Sequence, residues 1–128
     1  MTVRLRNITI DCMDPAKVAG FWSQVTGFSE DPDNPNLPDD EEWSIRGPAG
    51  SPRLLFIRVP EGKTGKNRVH LDVQPTDRTR DQEVDWLLGL GARWVADHRN
   101  PDGTGWVVLA DPEGNEFCVE RSAAERGE

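Results

Sequence analysis

The amino-acid sequence predicts an α+β fold built twice over, and three observations carry that prediction. A run rich in β-branched residues ends at Asp14-Pro15 and passes directly into a stretch of helical periodicity. A second strand-like run meets turn and cap residues at Pro75 to Asp77 before another helical stretch, and apolar runs suited to strand pairing follow each helix. Shifting the chain by 63 residues lays Asp14 on Asp77 and Asn7 on His70, which reads as an internal repeat with halves at 1–62 and 66–122 of a single 1–128 domain.

The elements follow in order. Val3 to Cys12 reads as a strand, Asp14 as a helix cap and Pro15 as a first-turn residue. Val18, Phe21, Trp22 and Val25 recur at the spacing of one buried helix face, and Gly27 stops the helix. Ser29 to Asp40 (SEDPDNPNLPDD) is an exposed acidic loop, because its prolines forbid regular pairing. Short strands are expected at Trp43 to Arg46 and Arg53 to Val59, and PEGKTGKN from Pro60 to Asn67 joins the halves without the GxxxxGK[ST] spacing of a phosphate cradle.

In the second half, Arg68 to Val73 is a strand and the helix after Pro75–Asp77 buries Val84, Leu87, Leu88 and Gly91. Trp94 opens a short strand, Asn100 to Gly105 turns, and Trp106 to Ala110 pairs again. Asp111-Pro112-Glu113-Gly114 is a tight turn into a last strand from Glu116 to Arg121, and the tail beyond it is expected to fray.

Charge and composition narrow the function. A formal charge of -8 and a pI near 4.7 argue against a nucleic-acid partner, which requires clustered Lys and Arg. No apolar run is long enough to span a bilayer, and the first residues carry Arg4 and Arg6 where a secretory leader would be apolar, so a cytoplasmic location is expected. Cys12 and Cys118 are too few for a disulfide framework and read as small buried hydrophobes in a reducing compartment.

Four segments carry a family likeness: ITIDCMDPAKVAGFWSQVTGF (Ile8 to Phe28), KNRVHLDV (Lys66 to Val73), LLGLGA (Leu87 to Ala92) and WVVLADPEGNEFCVE (Trp106 to Glu120). Together they resemble the glyoxalase-like subgroup of the vicinal oxygen chelate superfamily, which includes glyoxalase I, bleomycin-resistance proteins and extradiol dioxygenases. The resemblance implies two βαβββ modules forming a curled mixed sheet around a cleft, with helices on the outer faces. Strand alternation then assigns Ile8, Ile10, Leu55, Ile57, Val59, Leu71, Val73, Phe117 and Val119 to the helix-facing core. The cleft face receives Asn7, Thr9, Asp11, Leu54, Phe56, Arg58, His70, Asp72, Trp106, Val108, Glu116, Cys118 and Glu120.

Metal-dependent members of the superfamily place a His or Glu on the first and last strand of each module. Carried over by position, this gives Asn7, a residue near Phe56, His70 and Cys118, of which only His70 is an orthodox ligand. No tightly bound metal is therefore expected, although a rearranged His70, Asp72, Glu120 set would suit zinc, nickel, manganese or iron. Catalysis, if present, falls to His70 as acid or base with Asp72 or Glu120 orienting it; Asn7, Thr9, Phe56, Arg58, Trp106 and Cys118 would bind substrate. His98, in the polar stretch DHRNPDG, reads as solvated, and Trp43 and Trp86 as exposed candidates for a homodimer contact.

Three functions remain open. The first is binding of a small organic ligand in the cleft, with chemistry that needs no bound metal. Sequestration of a cationic aromatic compound by Trp106 and Phe56 is the second, since an acidic cleft and aromatic faces both favour cations. The third is a metal-dependent lyase, isomerase or dioxygenase.

Overall fold

In the computed structural model, which describes residues 1–128, the chain divides into two units, Met1–Lys63 and Thr64–Glu128. The first contains β1 (Asn7–Cys12), α1 (Pro15–Thr26), β2 (Glu42–Ile45) and β3 (Arg53–Arg58). The second contains β4 (Leu71–Val73), α2 (Arg80–Leu90), β5 (Arg93–Arg99), β6 (Gly105–Ala110), β7 (Glu116–Val119) and a short α3 (Ala123–Arg126). The fold is thus mixed α+β with two mixed sheets, and no helix is long and apolar enough to cross a membrane.

In the first unit the Asp14 side chain accepts the Lys17 N–H, Pro15 occupies the first turn, and Gly27 closes α1 in the left-handed region at φ 76°. The sheet order is β1-β3-β2, with β1 parallel and β2 antiparallel to β3. Register pairs Ile8 with Leu54 and Ile10 with Phe56, so these side chains share one face. Leu54 and Phe56 are buried on it with Val18, Phe21 and Trp22 of α1. This reverses the expected facing of β3, because Leu55 and Ile57, expected in the core, are only half-buried. The segment RLLFIR is apolar through its centre, so alternation cannot set its facing; pairing with β1 does.

The first unit also has one strand fewer than the βαβββ plan implies. Where that strand would run, a single antiparallel bridge joins Ser29 and Arg46, with N–H to O distances of 3.0 and 2.8 Å. The prolines at 32, 35 and 38 withhold the donors a longer pairing needs. Asn36 substitutes for it locally: its side-chain amide donates to the Ser44 carbonyl at 2.9 Å and accepts the Ser44 N–H at 3.1 Å, satisfying the open edge of β2. The first strand is shorter than expected, since β3 begins at Arg53, and Val3 and Leu5 are exposed.

The second unit keeps the full plan, with sheet order β4-β7-β6-β5 and β4 parallel to β7. Val107, Leu109, Phe117 and Val119 are fully buried on one face, with Val84 and Leu87 of α2 in the same core. The α2 cap is Thr79 in a reciprocal capping box with Gln82, rather than the Pro75–Asp77 turn expected. The tail is pinned instead of frayed: Ser122 caps α3, and the Glu125 carboxylate accepts the Arg80 N–H at 2.7 Å. Trp43 and Trp86 are half-buried, the latter under the Arg78 guanidinium, whereas Trp94 and Trp106 are the exposed tryptophans.

Hydrogen bonding fixes how the two units correspond. The Cys12 carbonyl accepts from Val59 and the Val73 carbonyl from Glu120, each at the end of the parallel pair. The register Cys12 with Arg58 recurs as Val73 with Val119, an offset of 61 rather than 63. His70 therefore corresponds to Thr9, Asp72 to Asp11 and Cys118 to Ile57. In urea titrations Phe56→Ala is expected to lose about 3 to 5 kcal/mol, and Arg58→Ala, at an exposed position, less than about 0.5; similar losses would contradict the assigned facing of β3.

Candidate functional site

The residues expected to carry chemistry collect on the face of the second sheet opposite Phe117 and Val119. Asp72 lies opposite Cys118, Cys118 opposite Val108, and Val108 opposite Ala96, which forms one row across four strands. His98 lies opposite Trp106 in the neighbouring row. A cavity of about 410 Å³ is lined by Lys66, His70, Asp72, His98, Trp106, Val108, Cys118 and Glu120.

Its polar side is a three-residue cluster. His70 Nδ1 is 3.5 Å from the Asp72 carboxylate and 3.5 Å from Cys118 Sγ. One nitrogen cannot serve both in a single protonation state: protonated, it donates toward Asp72; deprotonated, it accepts from the thiol. Burial pushes the Cys118 thiol up to about 11, and the Asp72 and Glu120 carboxylates add to the effect while Lys66 opposes it. At neutral pH Cys118 is accordingly a thiol and a poor nucleophile. Lys66 is held at 2.6 Å by Glu116.

The apolar side is aromatic. The His98 and Trp106 rings stack with centroids 5.0 Å apart and planes at 27°. Gly105 precedes Trp106 at φ 95°, and a Cβ there would sit 2.0 Å from the His98 carbonyl oxygen, so glycine is what lets the two strands close under the stack. Arg80, only 5% exposed, donates from Nη1 to the carbonyls of Gly103 and Gly105, both at 3.1 Å, and fastens this turn to α2. Arg99 grips Asp97, whose carboxyl its hydrogen bonds pull down to about 2.

The structure therefore brings together His70, Asp72, Trp106, Cys118 and Glu120. In the first unit, Asn7 lines a polar cavity of about 490 Å³ with Arg6, Asn36 and Arg53, and its Oδ1 is buried without a hydrogen-bond partner. Thr9 and Arg58 are exposed on their strands, and Phe56 is fully buried in the core. His98 and Lys66 join the site without having been expected there. Reading DHR as a continuation of the strand from Trp94 would have placed His98 against Trp106.

As metal donors, His70, Asp72 and Cys118 present ligand atoms within 4.8 Å of one another. Cys118, and not Glu120, completes the rearranged set. The four-position pattern spread over both halves does not fit, because the first-unit counterparts of His70 and Cys118 are Thr9 and Ile57, and an isoleucine cannot coordinate.

A family profile described as "Glyoxalase-like domain" matches residues 7–120. The chain belongs to this family. Among solved structures, a glyoxalase/bleomycin resistance protein/dioxygenase family enzyme from Burkholderia phytofirmans PsJN is 20% identical, with TM-score 0.70 and coverage of 91% of this chain and 97% of that one. The fosfomycin resistance protein FosX from Mesorhizobium loti is 16% identical, with TM-score 0.68 and 98% of each chain covered. A mutant of FosX from Listeria monocytogenes, in complex with Mn(II) and 1S,2S-dihydroxypropylphosphonic acid, is 16% identical, with TM-score 0.71 and coverage of 98% and 95%. At these identities the likeness establishes the glyoxalase-like fold. A curated relative, the tRNA-splicing ligase RtcB of Aeropyrum pernix, is 31% identical over 72 residues, which are 56% of this chain and 15% of that protein.

The thiol environment yields a pH prediction. Cys118 has its folded pKa raised above the usual 9.0, so the unfolded chain surrenders the proton first. Stability linked to the thiol is intact below about pH 9 and is lost as the pH rises toward 11. Unfolding midpoints measured across that range should fall more steeply for the metal-free native chain than for Cys118→Ala; parallel curves would contradict the raised pKa. Gly105→Ala is expected to destabilise the protein by more than about 1 kcal/mol in the same assay, and a neutral result would show that the strand pair accommodates a side chain.

Proposed function

We propose that this glyoxalase-like chain binds a small organic ligand in the cavity of the second unit and that a cationic or aromatic group of the ligand lies against Trp106. The observation that carries the reading is the juxtaposition, in one cavity, of the Trp106–His98 stack with the Asp72 and Glu120 carboxylates. An aromatic face beside carboxylates attracts a cation by its quadrupole and by direct charge. Lys66 does little to offset them, because its ammonium is already engaged by Glu116.

In this reading His70 is the group that exchanges a proton with the ligand. Its Nδ1 lies 3.5 Å from the Asp72 carboxylate, which can orient the ring, and the half-exposed imidazole remains within reach of solvent. A second reading, metal-assisted chemistry on the same ligand, is favoured by the His70, Asp72, Cys118 cluster and by the Mn(II) bound in the related FosX structure.

Calorimetric titration with a graded set of planar aromatic cations and their neutral isosteres tests the proposal. Cations are expected to bind more tightly than their isosteres, and Trp106→Ala and Glu120→Gln each to weaken them about tenfold. Equal binding of cations and isosteres would rule out the charge argument. With a cation in hand, product formation in the native chain but not in His70→Ala would establish His70 as the acid or base; unchanged ligand in both would leave a sequestering protein.

A further inference from the structure

We infer that the second unit holds a metal site of its own, made of His70, Asp72 and Cys118, and that its thiolate gives it a preference for zinc-class ions over manganese. The inference deepens the metal-assisted reading and is independent of whether the cavity binds an organic cation.

Distance is the first argument. Nitrogen, oxygen and sulfur donors bound to one tetrahedral zinc, at bond lengths of about 2.0 to 2.3 Å, lie roughly 3.3 to 3.8 Å from each other. His70 Nδ1 is already 3.5 Å from an Asp72 oxygen and 3.5 Å from Cys118 Sγ, and all three donors fall within 4.8 Å. Small rotations of exposed side chains close the remainder, since His70 and Asp72 are 43% and 53% exposed.

Scaffolding is the second. Asp72 and Cys118 are directly paired across β4 and β7, in a parallel register locked by Leu71 on Phe117 and Val73 on Val119. His70 stands two residues before Asp72 and reaches the same face. The strand register, rather than a flexible loop, therefore sets the spacing of two of the three donors.

Donor chemistry decides the ion. Manganese prefers oxygen ligands and lies at the weak end of the divalent series, whereas imidazole, carboxylate and thiolate together suit zinc and cobalt. On binding, the Cys118 S–H bond breaks, the sulfur electron pair goes to the ion and the proton leaves to solvent. Three protein donors would leave a four-coordinate ion room for one further ligand.

The test uses the full chain after chelator treatment, titrated with cobalt(II). One equivalent is expected to produce thiolate-to-cobalt charge-transfer absorption in the near ultraviolet. Zinc should abolish that absorption at equal concentration, while manganese in large excess should leave it. Cys118→Ser is expected to lose the absorption and to bind zinc at least about tenfold more weakly. Cys118→Glu, which substitutes an oxygen donor without emptying the position, should retain a metal but raise the affinity for manganese relative to zinc; circular dichroism of each variant confirms folding. Absence of the charge-transfer absorption in the native chain, its persistence in Cys118→Ser, or displacement of cobalt by equimolar manganese would each overturn the inference. None of these readouts involves an organic ligand or turnover, so this site and the ligand-binding proposal stand or fall separately.

Discussion

Parallel strands cannot be joined by a hairpin, and in each unit of this protein the first strand pairs in parallel with the last. A helix must make the crossing, and it must cover the face of the sheet on which it lands. In the second unit that demand sets the register of β4 on β7 through Leu71, Val73, Phe117 and Val119. Because side chains alternate, the same register turns Asp72 and Cys118 to the opposite face as a directly opposed pair. A slip of β4 by one residue would drive Asp72 into the core and turn Leu71 and Val73 outward. The chemistry of the site thus rests on an apolar constraint on the other side of the sheet.

The two units solve the same topological problem with different degrees of completeness. Both use a parallel outer pair and an intervening helix, yet only the second has an extended fourth strand. The first has a single bridge at Ser29 and an asparagine clamp on Ser44. The asymmetry extends to the donors, since Thr9, Asp11 and Ile57 stand where the second unit has His70, Asp72 and Cys118. Duplicated architecture has kept its hydrogen-bonding plan here while reactive groups are concentrated in one copy.

What the sequence discloses depends on whether a strand alternates. His70, Asp72 and Cys118 flank obligate core residues in HLDV and EFCV, so their facing could be read before any coordinates. Phe56 could not be placed that way, because every residue of LLFI is apolar and only pairing with β1 decides which side it takes. His98 was hidden by the polar character of DHR, although an edge strand exposed on both faces is expected to be polar. Asp14 and Asp77 look alike and suggest an offset of 63 between the halves, yet the second helix is capped by Thr79 and the strand registers set the offset at 61. The facing of a side chain is legible where local pattern and long-range register agree, and illegible where register alone decides.

The walls of the cavity have separate structural origins. His70, Asp72 and Cys118 belong to the parallel β4–β7 pair or the residue just before it, whereas the stacked rings belong to the β5–β6 hairpin, whose turn Arg80 secures from the helix side. Substitutions at His98 or Trp106 can therefore reshape what the cavity admits while the reactive cluster keeps its spacing. Such a division leaves the hairpin free to change the shape of one wall without disturbing the part of the sheet that holds the fold together.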